Sequence, residues 1–156
     1  MTPHFDCPAP MVEFLPDGVN VILCSDIRFY DSLGRIWSAF SGKRSDGASI
    51  PRLLWFWLGG PYNGFHRDGA LLHDDAAYLF APANEVTFFT ALFSSERGAA
   101  DRMIREATIV RIDQAKLNWF CRDWEVSKAD AIYLGLRIGG WLAWMDHAKQ
   151  NAKGKI

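Results

Sequence analysis

Cysteine is scarce in this sequence: Cys7, Cys24 and Cys121 are odd in number, widely spaced and without a CxxC pair. That argues against a disulfide framework and against a cysteine-based zinc site, and leaves three reduced thiols consistent with synthesis in a cytoplasm. Long apolar runs are missing too. The longest uncharged run, Leu53 to Phe65, is broken by glycines and too short to span a bilayer. The opening MTPHFDCPAP lacks the basic start and apolar stretch of a signal peptide, so neither a transmembrane segment nor secretion by that route is expected. Charge of one sign is also lacking. With 17 basic against 18 acidic side chains the formal net charge is −1, which provides no global footprint for nucleic acid, and none is expected as a partner. No repeat, low-complexity tract or Gly/Ser/Pro-rich linker divides the chain.

What is present is enough apolar mass for one core: 49% of the 156 residues are hydrophobic, with seven tryptophans and eleven phenylalanines. A single domain over 1–156 is expected. Its first part, about 10–42, is rich in β-branched and aromatic residues: Met11 to Leu15, Val19 to Cys24, Ile27 to Tyr30 and Arg35 to Phe40, separated by turns at Pro16-Asp-Gly18 and Asp31 to Gly34. A small antiparallel meander is the expectation there. From about 49 to 149 the pattern becomes helical. Ser49 suits the start of a short helix with Pro51 in its first turn, stopped by Gly59-Gly60-Pro61. A second helix spans about His66 to Phe80, and a third runs from Ser94 or Ser95 to about Ile112. Residues 85–94 are left unassigned. A last helix is expected from Ser127 to about Lys149, with Ser127 as cap, Asp130 completing a capping-box-like pair, and Ile132, Tyr133, Leu136, Ala143 and Trp144 as its buried stripe. The fold class is α+β, with the helices supplying most of the core.

The stretch GALLHDDAAY, Gly69 to Tyr78, sets a histidine beside two carboxylates in a helix that reads as buried, a costly place for ionisable groups. One turn to either side of His73 stand Gly69, Ala70, Ala76 and Ala77, so another element has room to come close. The third helix opens with its own small run, Gly98-Ala-Ala-Asp101. Antiparallel packing of the two smooth faces would bring Asp101 to the His73 ring, an arrangement that fixes a tautomer and supports an imidazolium. Asp74, about 100° further round the helix, faces a different space. The glycine-rich loop Gly59 to Gly64, including Gly60, Asn63 and Gly64, would fill it with carbonyls, and an oxygen-only donor set of that kind suits calcium. Asp75 reads as a solvated bystander. The same residues also fit a hydrogen-bonded structural feature in a core, and spacing alone leaves both readings open.

Two resemblances meet at these positions. Ser45-Asp-Gly-Ala-Ser-Ile-Pro-Arg52, followed by Trp55, Gly60-Pro61 and Ala70-Leu-Leu-His-Asp74, resembles the signature of a phage and bacterial family of unknown function, DUF1353, over about Val19 to Ile109. Membership implies a phage or prophage origin and no particular activity. The Ala-x-x-His-Asp string followed on the next helix by Ala100-Asp101-Arg102 is similar to the active-site helices of secreted-type phospholipases A2, in their bacterial form and in parvovirus minor capsid proteins. That resemblance implies a calcium-dependent lipid esterase acting on a phospholipid substrate, with His73 as general base, Asp101 orienting it and Asp74 binding calcium. It departs at the tyrosine four residues after the histidine, where this chain has Ala77 and then Tyr78.

Trp55, Phe56 and Trp57 would give such an enzyme an apolar rim, although three adjacent aromatics are expected mainly in a short core helix. Two other readings stand beside the esterase. The first is a catalytically inactive virion component or host-interaction protein, with other phage proteins as partners and the host cytoplasm or the virion as location. In it, Asp46, Ser49 and Arg52 form only a turn and a helix start, whereas in an enzyme Asp46 and Arg52 line the cleft. The second is an HD-type metal-dependent phosphohydrolase, which Ala70-Leu-Leu-His-Asp74 also resembles. The upstream histidine available to it is His66, seven residues from His73 and thus about 10.5 Å away on the same helix, too far for one metal ion.

Overall fold

A computed structural model describes residues 1–17, 20–45, 55–60, 62–80, 95–140, 145 and 149, with the main chain alone for Trp55 and 75–80. Among the described residues six short strands come first: β1 His4–Phe5, β2 Val12–Phe14, β3 Val21–Leu23, β4 Ile27–Tyr30, β5 Ile36–Ala39 and β6 Arg44–Ser45. Among the described residues four helices follow: α1 Trp55–Leu58, α2 Arg67–Phe80, α3 Ser95–Gln114 and α4 Trp119–Gly139. The α+β class and the order of its two parts are as expected. The strands, however, form two antiparallel sheets, ordered β1-β4-β5 and β2-β3-β6, in place of one meander.

The division falls between β3 and β4, where the chain changes sheet. Cys24 N–H donates to the Met11 carbonyl beside β2, while two residues later Asp26 accepts from the Ser41 N–H beyond β5. Each anchor belongs to a different sheet, so β3 and β4 do not pair. Both still show the alternation expected of half-buried strands: Val21, Leu23, Ile27 and Phe29 are buried, and Arg28 is exposed. β1 and β6, two residues each, are too short to carry a periodicity.

The turn after β4 is organised by Asp31, which is buried. Its carboxylate accepts from the main-chain N–H groups of Leu33 and Arg35, from Arg35 Nε at 2.7 Å and from Trp37 Nε1 at 3.0 Å. Burial pushes its pKa up, but the bonds from Arg35 and Trp37 outweigh that and hold it below the ordinary carboxylate value. The stabilisation is therefore present at neutral pH and lost as pH falls through the carboxylate range.

Helices α2 and α3 pack antiparallel, and glycine sets their spacing. A Cβ on Gly69 would lie 3.0 Å from the Ile104 carbonyl oxygen and 3.0 Å from its Cγ1. The main core joins both sheets to α2 and α3 through Leu23, Phe29, Trp37, Leu71, Leu72 and Met103. A smaller cluster of Leu58, Ala70, Ile104 and Ile132 ties α1 and α4 to the same helix pair. No helix among the described residues is long and apolar enough to cross a membrane.

The last helix departs from expectation at its start. It begins at Trp119, eight residues before Ser127, and its cap is Asn118, whose side chain accepts from Cys121 N–H at 2.9 Å. Ser127 lies inside the helix and donates to the Asp123 carbonyl, and Asp130 takes Arg105 of α3 instead of closing a capping box. The first turns present Trp119, Phe120 and Trp124 to solvent, so the helical period there carries no buried stripe to betray it. Ile132 is buried and Tyr133 and Leu136 partly so, whereas Ala143 and Trp144 lie outside the described residues.

Candidate functional site

His73 sits on the face of α2 turned toward α3, one residue beyond the buried Leu72. Its Nε2 lies 2.9 Å from Asp101 Oδ1. A carboxylate accepts only, so Nε2 carries the proton and the neutral ring keeps its lone pair on Nδ1, which has no hydrogen-bond partner among the described residues. The burial is unequal: the His73 side chain keeps 17% of its exposure and that of Asp101 keeps 1%. The imidazole therefore opens outward from a carboxylate sealed behind it.

Sequence reasoning left the rest of this network unseen. The second oxygen of Asp101 accepts from Arg137 Nη1 at 3.1 Å, an approach from α4, 36 positions away along the chain. Arg97, one helical turn before Asp101, stands 3.7 Å from that same oxygen. It is fully buried and donates to the carbonyls of Leu136 and Arg137 near the end of α4, where a cation suits the unpaired helix carbonyls. Burial pulls the Arg97 guanidinium below its ordinary pKa; Asp101 opposes this and Arg137 adds to it. The i,i+4 spacing of Arg97 and Asp101 was a usable signal in the sequence; for Arg137 there was none.

The small-residue run of α3 does not form the expected smooth seam. Gly98 lies under the Arg137 guanidinium, and Ala99 and Ala100 belong to the main core. The close contact with α2 is made at Gly69 on Ile104 instead, because the antiparallel crossing places Ile104, one turn after Ala100, opposite that glycine. The side chains of Ala76, Ala77 and Tyr78 lie outside the described residues, as does that of Asp75.

Asp74 points to a separate space, as its rotation around the helix requires. Its Oδ2 accepts from the Ser45 hydroxyl at the end of β6, and the Ser45 carbonyl accepts from Tyr62 Oη at 2.9 Å. Tyr62 belongs to the loop from Gly59 to Gly64, so Asp74 and that loop are joined through Ser45. Within the loop the Gly60 carbonyl is already engaged, by His66 Nε2 at 3.1 Å and Asn63 N–H at 3.1 Å. Gly59 and Gly64 take the positive φ values of 93° and 116° that pass the chain around the His66 ring. Calcium takes about six to eight oxygen ligands. Asp74 with Ser45 falls short of that, and among the described residues no three His, Cys, Asp or Glu side chains converge as a metal site. The described donors do not by themselves make a calcium cage. Asp46, Ser49 and Arg52 lie outside the described residues.

His66 is buried and apart from the dyad. Burial lowers its pKa below the ordinary histidine value, the Gly60 bond opposing, Lys128 adding to the shift and Glu125 opposing it. An unfolded chain takes up a proton below about pH 6.5 that the folded chain refuses. Stability is therefore complete above that pH and falls as pH drops, by at most about 1.4 kcal/mol per pH unit from this residue. Urea unfolding between pH 7.5 and 5 should show that decline in the wild type and a flatter profile in His66→Gln.

Phe56 and Trp57 of α1 are not core, and the side chain of Trp55 lies outside the described residues. Phe56 is fully exposed and Trp57 is 45% exposed, while Leu58 is buried. Trp57 meets Trp124 edge-on at 6.0 Å, and Trp119 and Phe120 extend the same aromatic character along α4. Thirteen residues of helix separate Trp124 from Arg137, about 20 Å, so this surface is not a wall around His73.

A family model described as "Protein of unknown function (DUF1353)" matches residues 21–135. Over 52 residues the chain is 42% identical to the "Uncharacterized protein y4jT" of Sinorhizobium fredii (strain NBRC 101917 / NGR234), a match covering 33% of this chain and 16% of that protein. The chain thus corresponds to a small part of that relative's length. No solved structure matches it significantly.

Proposed function

We propose that this chain, which belongs to the DUF1353 family of proteins of unknown function, is a hydrolase that activates water at His73 to cleave the carboxylic ester of a phospholipid. The observation that carries the reading is the pairing of His73 Nε2 with a buried Asp101 carboxylate while Nδ1 is left without a partner among the described residues. A ring held this way is a general base with its tautomer fixed. Nδ1 takes a proton from water as the oxygen attacks the ester carbonyl, and the same proton passes to the departing alkoxide as the tetrahedral intermediate collapses. Asp101 stays beside Nε2–H throughout and offsets the positive charge of the imidazolium. The choice of a phospholipid ester rests on the likeness of the His73-Asp74 and Asp101 strings to phospholipase A2 helices.

The test is release of fatty acid from phosphatidylcholine vesicles, assayed with added calcium and with chelator. Hydrolysis by the wild type, reduced by about 10²–10⁴-fold in His73→Gln, is the expected result. Calcium dependence that disappears in Asp74→Asn would assign the metal to Asp74. Folded protein that releases no fatty acid at any calcium concentration overturns the proposal.

One observation favours a second reading, a virion or host-interaction protein on the same scaffold. Both oxygens of Asp101 and one of Asp74 have protein partners, so the polar groups satisfy one another without a substrate. Absence of hydrolysis would select it. Nothing favours the phosphohydrolase reading, since among the described residues no three His, Cys, Asp or Glu side chains converge as a metal site.

A further inference from the structure

Helix α4 carries apolar residues on two faces. Inward, Ile132 is buried in the cluster it shares with Leu58, Ala70 and Ile104. Outward, Phe120, Trp124, Leu134 and Ile138 are 66%, 48%, 55% and 73% exposed. Together with exposed Ser127 and half-buried Ala131 they recur at intervals of four, three, four, three and four residues. That is heptad spacing, and it keeps all six within about 40° of one line along the helix. The line is about 27 Å long, and no charged side chain stands on it.

The stripe is small in the middle and large at its ends, which is a shape that fits its own copy. Turned end for end about a two-fold axis midway between Ser127 and Ala131, it sets Phe120 opposite Ile138, Trp124 opposite Leu134 and Ser127 opposite Ala131. Small then meets small, so two helices can approach closely, and an aromatic meets an aliphatic on either side. Trp57, edge-on to Trp124 at 6.0 Å, and Trp119, edge-on to Phe120 at 5.9 Å, widen the surface. The exposed parts of these side chains come to roughly 600–800 Å². That exceeds the about 300–600 Å² patch of an ordinary monomer and approaches the about 800 Å² per partner of a stable complex. The charges at its edges are already paired within the chain: Asp123 lies 3.9 Å from Arg122, Lys128 2.6 Å from Glu125 and Asp130 2.5 Å from Arg105. These edges therefore offer no basic excess for an anionic membrane, and their carboxylates are offset before a copy arrives.

We propose that the outer face of α4 is a self-association surface, on which a second copy of this chain seats its own α4 antiparallel to the first. Pairing of α4 does not depend on whether His73 hydrolyses an ester.

Sedimentation equilibrium of the full chain, from low to high micromolar, should show a mass rising from 17.6 kDa toward twice that value. Leu134→Glu sets a carboxylate opposite Trp124 of the copy and should weaken association about a hundredfold or more. Ser127→Lys should weaken it too, by bulk and charge where the helices come closest, and it removes no apolar contact. Both positions are exposed, so the variants should fold, and unchanged helical circular dichroism checks that they do. Leu33→Glu, on the exposed turn after β4, is the control and should associate as the wild type does. In chains whose own cysteines are replaced by serine, Phe120→Cys and Ile138→Cys should form a disulfide with each other when mixed and oxidised, and not each with itself. A single-chain mass at every concentration, or association untouched by Leu134→Glu and Ser127→Lys, overturns the seam between copies. Disulfides formed only within each variant overturn the antiparallel order. A monomer that co-sediments with phosphatidylcholine vesicles, and ceases to in Leu134→Glu, overturns the second copy and gives the face to a lipid surface.

Discussion

Replacing Asp101 with alanine is expected to lower the free energy of unfolding by about 3–5 kcal/mol, more than any other single change in the candidate site. The size follows from what the carboxylate leaves behind. Arg97 keeps 2% of its exposure and loses a carboxylate 3.7 Å away. Arg137 loses a bond of 3.1 Å and His73 one of 2.9 Å. A buried guanidinium cannot shed its proton to escape the penalty, so the cost is that of a charge losing its carboxylate partner in a low-dielectric interior. His73→Gln provides the contrast. It removes one hydrogen bond from a partly exposed ring while Asp101 keeps Arg137, and about 1 kcal/mol is the expected loss. Urea unfolding at constant slope measures both. If Asp101→Ala costs less than about 1 kcal/mol, water reaches the network and burial does not fix the dyad.

The second large effect is expected at Gly59→Ala, for a backbone reason. Gly59 has φ +93°, and a Cβ there would lie 2.7 Å from the Asn63 carbonyl oxygen, closer than atoms of that kind approach. Strain in φ and the clash together should cost about 3 kcal/mol. Gly34→Ala is the control, because Gly34 has φ +81° and open space around its Cβ position. It should bear the φ strain alone, about 1 kcal/mol. The difference between the two midpoints isolates the clash, and equal losses would show that the Gly59 loop yields freely. A loop that yields far enough to let water reach His66 would relieve the burial that lowers its pKa, and Gly59→Ala would then flatten the acid decline of stability.

How much was legible in advance depended on the range of the interaction. The strands β2 to β5 and the helices α2 and α3 carry their own periodicity, and turn residues mark their ends. Their boundaries fell within a residue or two of those read from the sequence. The start of α4 was misread because its first turns expose tryptophan and phenylalanine where a buried stripe was sought, while Ser127 offered a false cap. The split of the strands into two sheets was hidden in Cys24 and Asp26, whose partners Met11 and Ser41 are distant in sequence.

The site divides along the same line. That His73 and Asp101 would meet followed from two neighbouring helices with small residues on them. Which residues would surround the pair did not. Arg137 arrives from a third helix, and Gly98, read as part of a packing stripe, lies under the Arg137 guanidinium. The sequence by itself determined the class of fold, the helices that carry the histidine and its carboxylate, and the direction in which Asp74 leaves them, because helical period is a local property of the chain. Only the tertiary structure decided that Asp101 is shared between an imidazole and two arginines, and that His66 belongs to the glycine loop. Those partners are selected by the packing of elements far apart in sequence, and burial makes the choice binding, since each polar group sealed from water must find its partner among the groups sealed in with it.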